Sequence, residues 1–189
     1  MIRRPRSLVY WVLLAALAAA LHGFADDKAK DKEPSKDLDI ERMETVYRYQ
    51  NDGTGSITQS SRIRVLTEAG RDAIGQFYFS YSSGLEDLRI DYFRADKKDG
   101  TQLPVDPAQA VETASPISQS APMFSDVKVK VLVARDLAVG DALEYQFARV
   151  VRVPLKPGDF WAMHFQDQGS VVDSEVVTLD VPEDRRLTL

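Results

Sequence analysis

From Leu38 onward, apolar residues recur at every second position, the repeat of a half-buried β-strand rather than of a helix. Met43, Thr45, Tyr47 and Tyr49 fall on one face, and after Asn51-Asp52-Gly53-Thr54-Gly55 the alternation resumes at Ile57, Gln59, Ser61, Ile63 and Val65. Two such runs around an Asn-Asp-Gly reversal predict a β-hairpin, because these turn residues tolerate the positive φ of a tight reversal. The stretch from Glu68 to Gln76, with Gly70 and Gly75, has room for one short helical turn. Phe77 to Tyr81 is expected as a short aromatic strand. Leu88, Ile90 and Tyr92, alternating with Asp87, Arg89 and Asp91, mark the next strand, and Asp99-Gly100 turns it into Leu103-Pro104-Val105 as a second hairpin.

Between residues 106 and 126 the period is lost among Pro107, Pro116, Pro122 and many small polar residues, which predicts a long loop. Val127, Val129, Val131 and Val133, set against Lys128, Lys130 and Leu132, form the clearest strand of the chain. Val139-Gly140-Asp141 is expected to turn it into Leu143, Tyr145, Phe147 and the run Val150 to Val153 as a third hairpin. An aromatic segment, Phe160 to Phe165, and a last strand around Val171 to Val181 bring the count to eight or nine. Many short strands with no ordinary amphipathic helix predict an all-β chain, an antiparallel two-sheet β-sandwich, with a closed barrel as the alternative. The apolar alternation is still running at Leu187-Thr188-Leu189, so the chain reads as the front portion of something longer.

The N-terminus follows a different plan. Arg3, Arg4 and Arg6 precede an apolar run from Leu8 to Leu21, and Gly23-Phe24-Ala25 offers small residues for cleavage after Ala25. This is the layout of a secretory signal peptide. The alternative is an uncleaved anchor, but the run is shorter than the roughly 20 residues of a spanning helix. No Cys follows it, so lipoprotein acylation is excluded. The expected organisation is a signal peptide at 1–25, a disordered charged linker at 26–37 and a β-sandwich domain at 38–189, in the periplasm or outside the cell.

Charge and composition narrow the chemistry. Loss of the three signal arginines takes the formal charge from -5 to -8, which argues against nucleic acid and against an anionic membrane surface after cleavage. The chain has no Cys, which excludes disulfides, thiolate metal sites and thiol nucleophiles. Of its 2 His, His22 lies in the signal, so His164 alone is left for a zinc site or a Ser-His-Asp triad with Asp167 or Asp173. No Gly-x-Ser-x-Gly elbow accompanies it. Asp96-Lys97-Lys98-Asp99-Gly100 has lysines where a calcium loop needs ligands, and no phosphate-binding glycine loop is present. No catalytic, cofactor-binding or metal-binding residue is therefore assigned, no cofactor is expected, and the chain is expected not to be an enzyme by itself.

Five stretches then occur in order: Arg62-Ile63-Arg64-Val65-Leu66-Thr67-Glu68-Ala69-Gly70, Asp99-Gly100-Thr101, Ser120-Ala121-Pro122-Met123-Phe124-Ser125-Asp126, Val139-Gly140-Asp141-Ala142-Leu143-Glu144-Tyr145, and Phe160-Trp161. With these, the chain from about Glu41 onward resembles the bacterial domain of unknown function found N-terminal to transglutaminase-like domains in exported proteins. The resemblance implies a non-catalytic, sandwich-like module ahead of a papain-like Cys, His, Asp core whose catalytic residues have no counterpart in this sequence. It implies a C-terminal transglutaminase-like domain in cis as partner, if the chain is a front portion, and protein or peptidoglycan as substrate to be held. A free-standing carbohydrate- or protein-binding module is the alternative, with Trp161 as a stacking platform. The candidate interaction residues are Met123 and Phe124 as apolar anchors, Asp126 as a hydrogen-bond acceptor, and Trp161. For the 120–126 loop the competing expectation is that it is pinned to its own domain, with Asp126 capping a local turn.

Overall fold

The computed structural model describes residues 35–121, 123, 125–164 and 170–185; the expected signal peptide at 1–25 and residues 26–34 of the expected linker lie outside that set, while the linker's last residues, 35–37, belong to a strand. The predicted first hairpin is β1 (Ser35–Tyr49) and β2 (Gly55–Val65). At its tip Gly53 takes φ +88, and Asp52 accepts from the Thr54 backbone N–H at 2.9 Å. β1 starts at Ser35, earlier than the apolar period indicates, because the Asp37 carbonyl accepts from the Leu66 N–H and its carboxylate from the Thr67 hydroxyl at 2.6 Å. Thr67 in turn caps α1 (Glu68–Ile74), accepting from the Gly70 N–H as an N-cap residue does. Then follow β3 (Gln76–Ser82), β4 (Glu86–Asp96) and β5 (Gln102–Pro104), the last two forming the second predicted hairpin.

Residues 106–126, expected as a loop, contain structure. A 3₁₀ turn at Pro107–Gln109 leads to β6 (Val111–Ala114), and α2 (Pro116–Ser120) starts with Ser115 as its N-cap. β7 (Val127–Val133), β8 (Ala142–Val151), β9 (Ser170–Val172) and β10 (Glu175–Asp180) complete ten strands among the described residues. They form two sheets. The large one runs β10-β1-β2-β8-β4-β5, with β9 also on β1, and the small one runs β3-β7-β6. The fold is a mostly antiparallel two-sheet β-sandwich.

The structure corrects the sequence-based topology at two points. β7 and β8 are not a hairpin: β7 pairs with β3 and β6, whereas β8 lies between β2 and β4 in the other sheet. Apolar alternation is the same whether two strands lie side by side or face each other across a core. The final strand is two pieces, β9 and β10, and both pair parallel to β1.

The core lies between the sheets. Phe77 and Phe79 of β3 and Leu132 of β7 meet Ile63, Val65, Leu88, Ile90, Phe93, Leu143 and Tyr145 of the large sheet. The valines of β7 are on the other face. Leu132 pairs with Phe77 and Lys130 with Phe79, and directly opposed residues share a face. The Lys130 ammonium escapes the core by donating to the Leu88 carbonyl at 3.1 Å, a snorkelling stem.

Asp141 fastens the crossing between sheets and is only 3% exposed. Its carboxylate accepts from the Ala138 N–H at 2.8 Å, the Lys98 N–H at 3.2 Å and the Lys97 ammonium. Burial pushes its carboxyl up, but the Lys97 and backbone hydrogen bonds outweigh that and hold it below the usual range. A depressed folded pKa means stability that is complete above the unfolded Asp value of about 3.9 and lost as pH falls through the folded value. Asp141→Asn should therefore cost about 1–3 kcal/mol at pH 7, and urea titrations of the two proteins should converge as the pH drops below about 3.9.

Candidate functional site

The small sheet covers only part of the large sheet's inner face. At the far end of β1, β2 and β8, a second apolar cluster of Tyr47, Tyr49 and Ile57 packs with Val151, Phe160 and Val181. No residue of β3, β6 or β7 belongs to it. Its cover is the irregular segment 153–164, and between segment and sheet lies a groove of about 640 Å³, within the size range of ligand sites. Along it Leu155 is 69% exposed, Trp161 64% and Met163 58%.

Several contacts hold the segment in place, among them the Gly158 N–H donated to the Asp52 carbonyl at 2.9 Å. The Phe160 ring stacks on Tyr49 with centroids 4.3 Å apart. A Cβ on Gly53 would lie 2.5 Å from the Asp159 carbonyl oxygen, so the hairpin tip and the segment approach as closely as only glycine allows. The Tyr47 hydroxyl lies 3.1 Å from His164 Nδ1, and His164 Nε2 lies 2.8 Å from Glu175 Oε1. A neutral imidazole with its proton on Nε2 satisfies both, accepting from Tyr47 and donating to Glu175.

The acid beside His164 is Glu175; Asp167 lies outside the described residues. Burial pushes the Tyr47 phenol up, against the pull of Arg149. The two hydrogen bonds tie the end of the segment to β1 and β10. On the groove floor, Arg149 lies 3.8 Å from Glu86, and Glu86 accepts from the Ser82 N–H at 3.1 Å. Among the described residues no group of three or more His, Cys, Asp or Glu is placed to hold a metal ion. Nor is any helix among them long and apolar enough to cross a membrane.

The outer face of the large sheet carries a charged lattice. Arg42 of β1, Arg62 of β2, Glu144 of β8 and Arg94 of β4 occupy one cross-strand row. Glu144 accepts from Arg42 at 3.2 Å, Arg62 at 3.1 Å and Arg94 at 2.7 Å. Glu41 sits where the β1–β2 register shifts, and this bulge turns its carboxylate onto Arg62 at 2.8 Å and onto Arg64. Asp96 pairs with Arg62 and, at 3.1 Å, with Arg94. Every cation here has a carboxylate, so the lattice ties four strands together rather than offering free charge.

Residues 51–189 match the model of a family described as a domain of unknown function with a solved structure, DUF3857. The chain belongs to the DUF3857 family. No curated protein matches the sequence. Among solved structures, the DUF3857 chain is similar to a candidate protease from Parabacteroides distasonis, with a TM-score of 0.68 and 21% identity over 79% of this chain. It spans only 30% of that structure's chain, and at this identity the likeness establishes the fold. Weaker matches are the CBM3a-L domain of the Clostridium thermocellum cellulosome scaffoldin and an M1 zinc metallopeptidase from Deinococcus radiodurans. The first has a TM-score of 0.37 at 13% identity over 63% of this chain and 70% of that one. The second has 0.32 at 14% over 62% and 21%.

Several of the stretches that carry the resemblance have structural roles in this DUF3857 domain. Arg62, Arg64 and Glu144 belong to the lattice, Thr67 and Gly70 to the α1 cap, and Asp141 to the sheet crossing. Of the candidate interaction residues, Met123 is exposed and Phe124 lies outside the described residues. Asp126 takes the local role: its carboxylate accepts from the Gly84 N–H at 2.6 Å and the Ser82 hydroxyl at 2.8 Å. These bonds, the Gly84 one first, hold its carboxyl below the usual range. Trp161 stands apart from them on the groove. Tyr47 of the same groove was visible as a strand aromatic, whereas Arg149 and Glu86 were not singled out from the sequence. Their signal was a charge at an inward position of an apolar alternation, Arg149 after Leu143, Tyr145 and Phe147.

Proposed function

We propose that the chain is an exported, non-catalytic interaction module that positions a transglutaminase-like catalytic domain or holds its protein or peptidoglycan substrate, in the periplasm or outside the cell. The observation that carries this reading is the half-open inner face: an apolar groove roofed by a segment whose Leu155, Trp161 and Met163 face solvent. Exposed apolar residues gathered at one site mark interaction surfaces. The signal-like N-terminus supports export, and the family resemblance supports the catalytic neighbour. Absence of any Cys supports a non-catalytic role beside a cysteine-dependent one.

A carbohydrate-binding module is the second reading, favoured by the exposed Trp161 ring. Against it, Tyr49 and Phe160 are stacked on each other, and much of the lining is aliphatic: Ile57, Val151, Val153, Pro154, Leu155 and Met163. Such walls offer sugar hydroxyls few partners beyond Arg149, Glu86, Lys156 and Asp159, and a hydroxyl left unpaired carries a cost. The test is to mix the full chain with a transglutaminase-like domain and follow co-elution. Wild type should associate, and a Leu155→Asp, Met163→Asp variant should lose association at least about tenfold with an unchanged melting curve. Turnover of an amide substrate by the chain alone, or association indifferent to the two substitutions, would refute the proposal.

A further inference from the structure

Arg149 on the groove floor is poorly provided for. The outer-face arginines Arg42, Arg62, Arg64 and Arg94 each donate hydrogen bonds, whereas Arg149 has only the 3.8 Å approach to Glu86 and no hydrogen bond to another described residue. Its side chain is about one-third exposed, and the Glu86 oxygen that faces it, Oε1, stays beyond hydrogen-bond distance while Oε2 accepts from the Ser82 N–H. A guanidinium offers five donors in a planar fork that matches a carboxylate. Here that fork borders a cavity walled by Val151, Val153, Leu155, Phe160 and Trp161.

We infer that this groove binds a peptide carboxylate, seated on Arg149, with the neighbouring apolar side chain of the peptide against Leu155 and Trp161. The inference rests on the groove being the interaction surface and adds the chemistry of what occupies it. Charge complementarity selects the acid, since a carboxylate gives Arg149 the hydrogen bonds the fold leaves unmade. Aliphatic walls select an apolar peptide neighbour over a sugar. The carboxylate can come from a chain terminus or from an Asp or Glu side chain.

Trp161 reports occupancy directly. In the full chain carrying Trp11→Phe it is the remaining Trp, and its emission should shift to the blue as a ligand covers it. Three short Leu-Phe peptides serve as probes: one with a free C-terminal carboxylate, one amidated, and one amidated with an internal Glu. The acidic peptides should bind at least about tenfold more tightly than the uncharged amide, the value of a charge-assisted hydrogen bond, and their order names the source of the carboxylate. Arg149→Gln should erase the difference, and Arg149→Lys, which keeps the charge without the fork, should retain part of it. Equal binding of all three peptides to wild type overturns the inference whether or not a variant folds. So does unchanged acid preference in Arg149→Gln, or a Trp161 shift produced by a chito-oligosaccharide and by none of the peptides. Failure to associate with a transglutaminase-like domain would leave this titration unaffected, so the two readings fail separately.

Discussion

Phe79→Ala should be the most damaging single substitution in the core, costing about 3–5 kcal/mol. Phe79 is 1% exposed and sits where the sheets meet, its ring centroid 5.0 Å from Phe77, 5.2 Å from Phe147, 5.8 Å from Tyr145 and 6.1 Å from Phe93. Truncation removes the transfer free energy of the ring and opens a cavity that four aromatic neighbours, fixed on three strands, cannot close. Urea unfolding at neutral pH reads the loss. Trp161→Ala in the same assay should stay within about 0.5 kcal/mol, since its exposed ring contributes to the groove and little to the fold. A large loss at Trp161 would place it in the core and remove the groove as a free surface.

Glu144→Ala should cost about 2–3 kcal/mol and lower the melting temperature by about 5–10 °C. Glu144 is 7% exposed and is the shared acceptor of Arg42, Arg62 and Arg94. Its removal leaves three guanidinium groups crowded on one cross-strand row. The arginines are 29% to 47% exposed, so water relieves part of the repulsion, and the loss should fall below that of a fully buried pair. Glu144→Gln, which keeps one acceptor oxygen, should cost less than Glu144→Ala. Thermal melts of the three proteins check the order.

The first two hairpins were legible because their turns carry Asn-Asp-Gly and Asp-Gly between strands of clean period two. β6 was hidden: Val111, Glu112 and Thr113 are all exposed on an edge, so no apolar alternation announces it. The β7 valines looked like a core face, yet the pairing of Phe79 with Lys130 puts the lysine stems inward. What period two cannot encode is partnership, and so β8 was assigned to β7 although it lies between β2 and β4. The site was partly legible. Trp161 stood out as an aromatic beside Phe160, but whether it packs or projects depends on how far the small sheet reaches. His164 was visible as a lone histidine; its partners Tyr47 and Glu175 come from strands 117 residues before it and 11 residues after it, brought together by the parallel pairing of β10 with β1.

Side-chain footprinting by hydroxyl radicals of the full chain, alone and with a transglutaminase-like domain added, tests the open groove most directly. Leu155, Trp161 and Met163 should label heavily in the free chain and become protected together in the mixture, while the buried Phe79 and Phe93 stay unlabelled in both. Protection of the three in the free chain, or equal labelling with and without the added domain, would contradict the account.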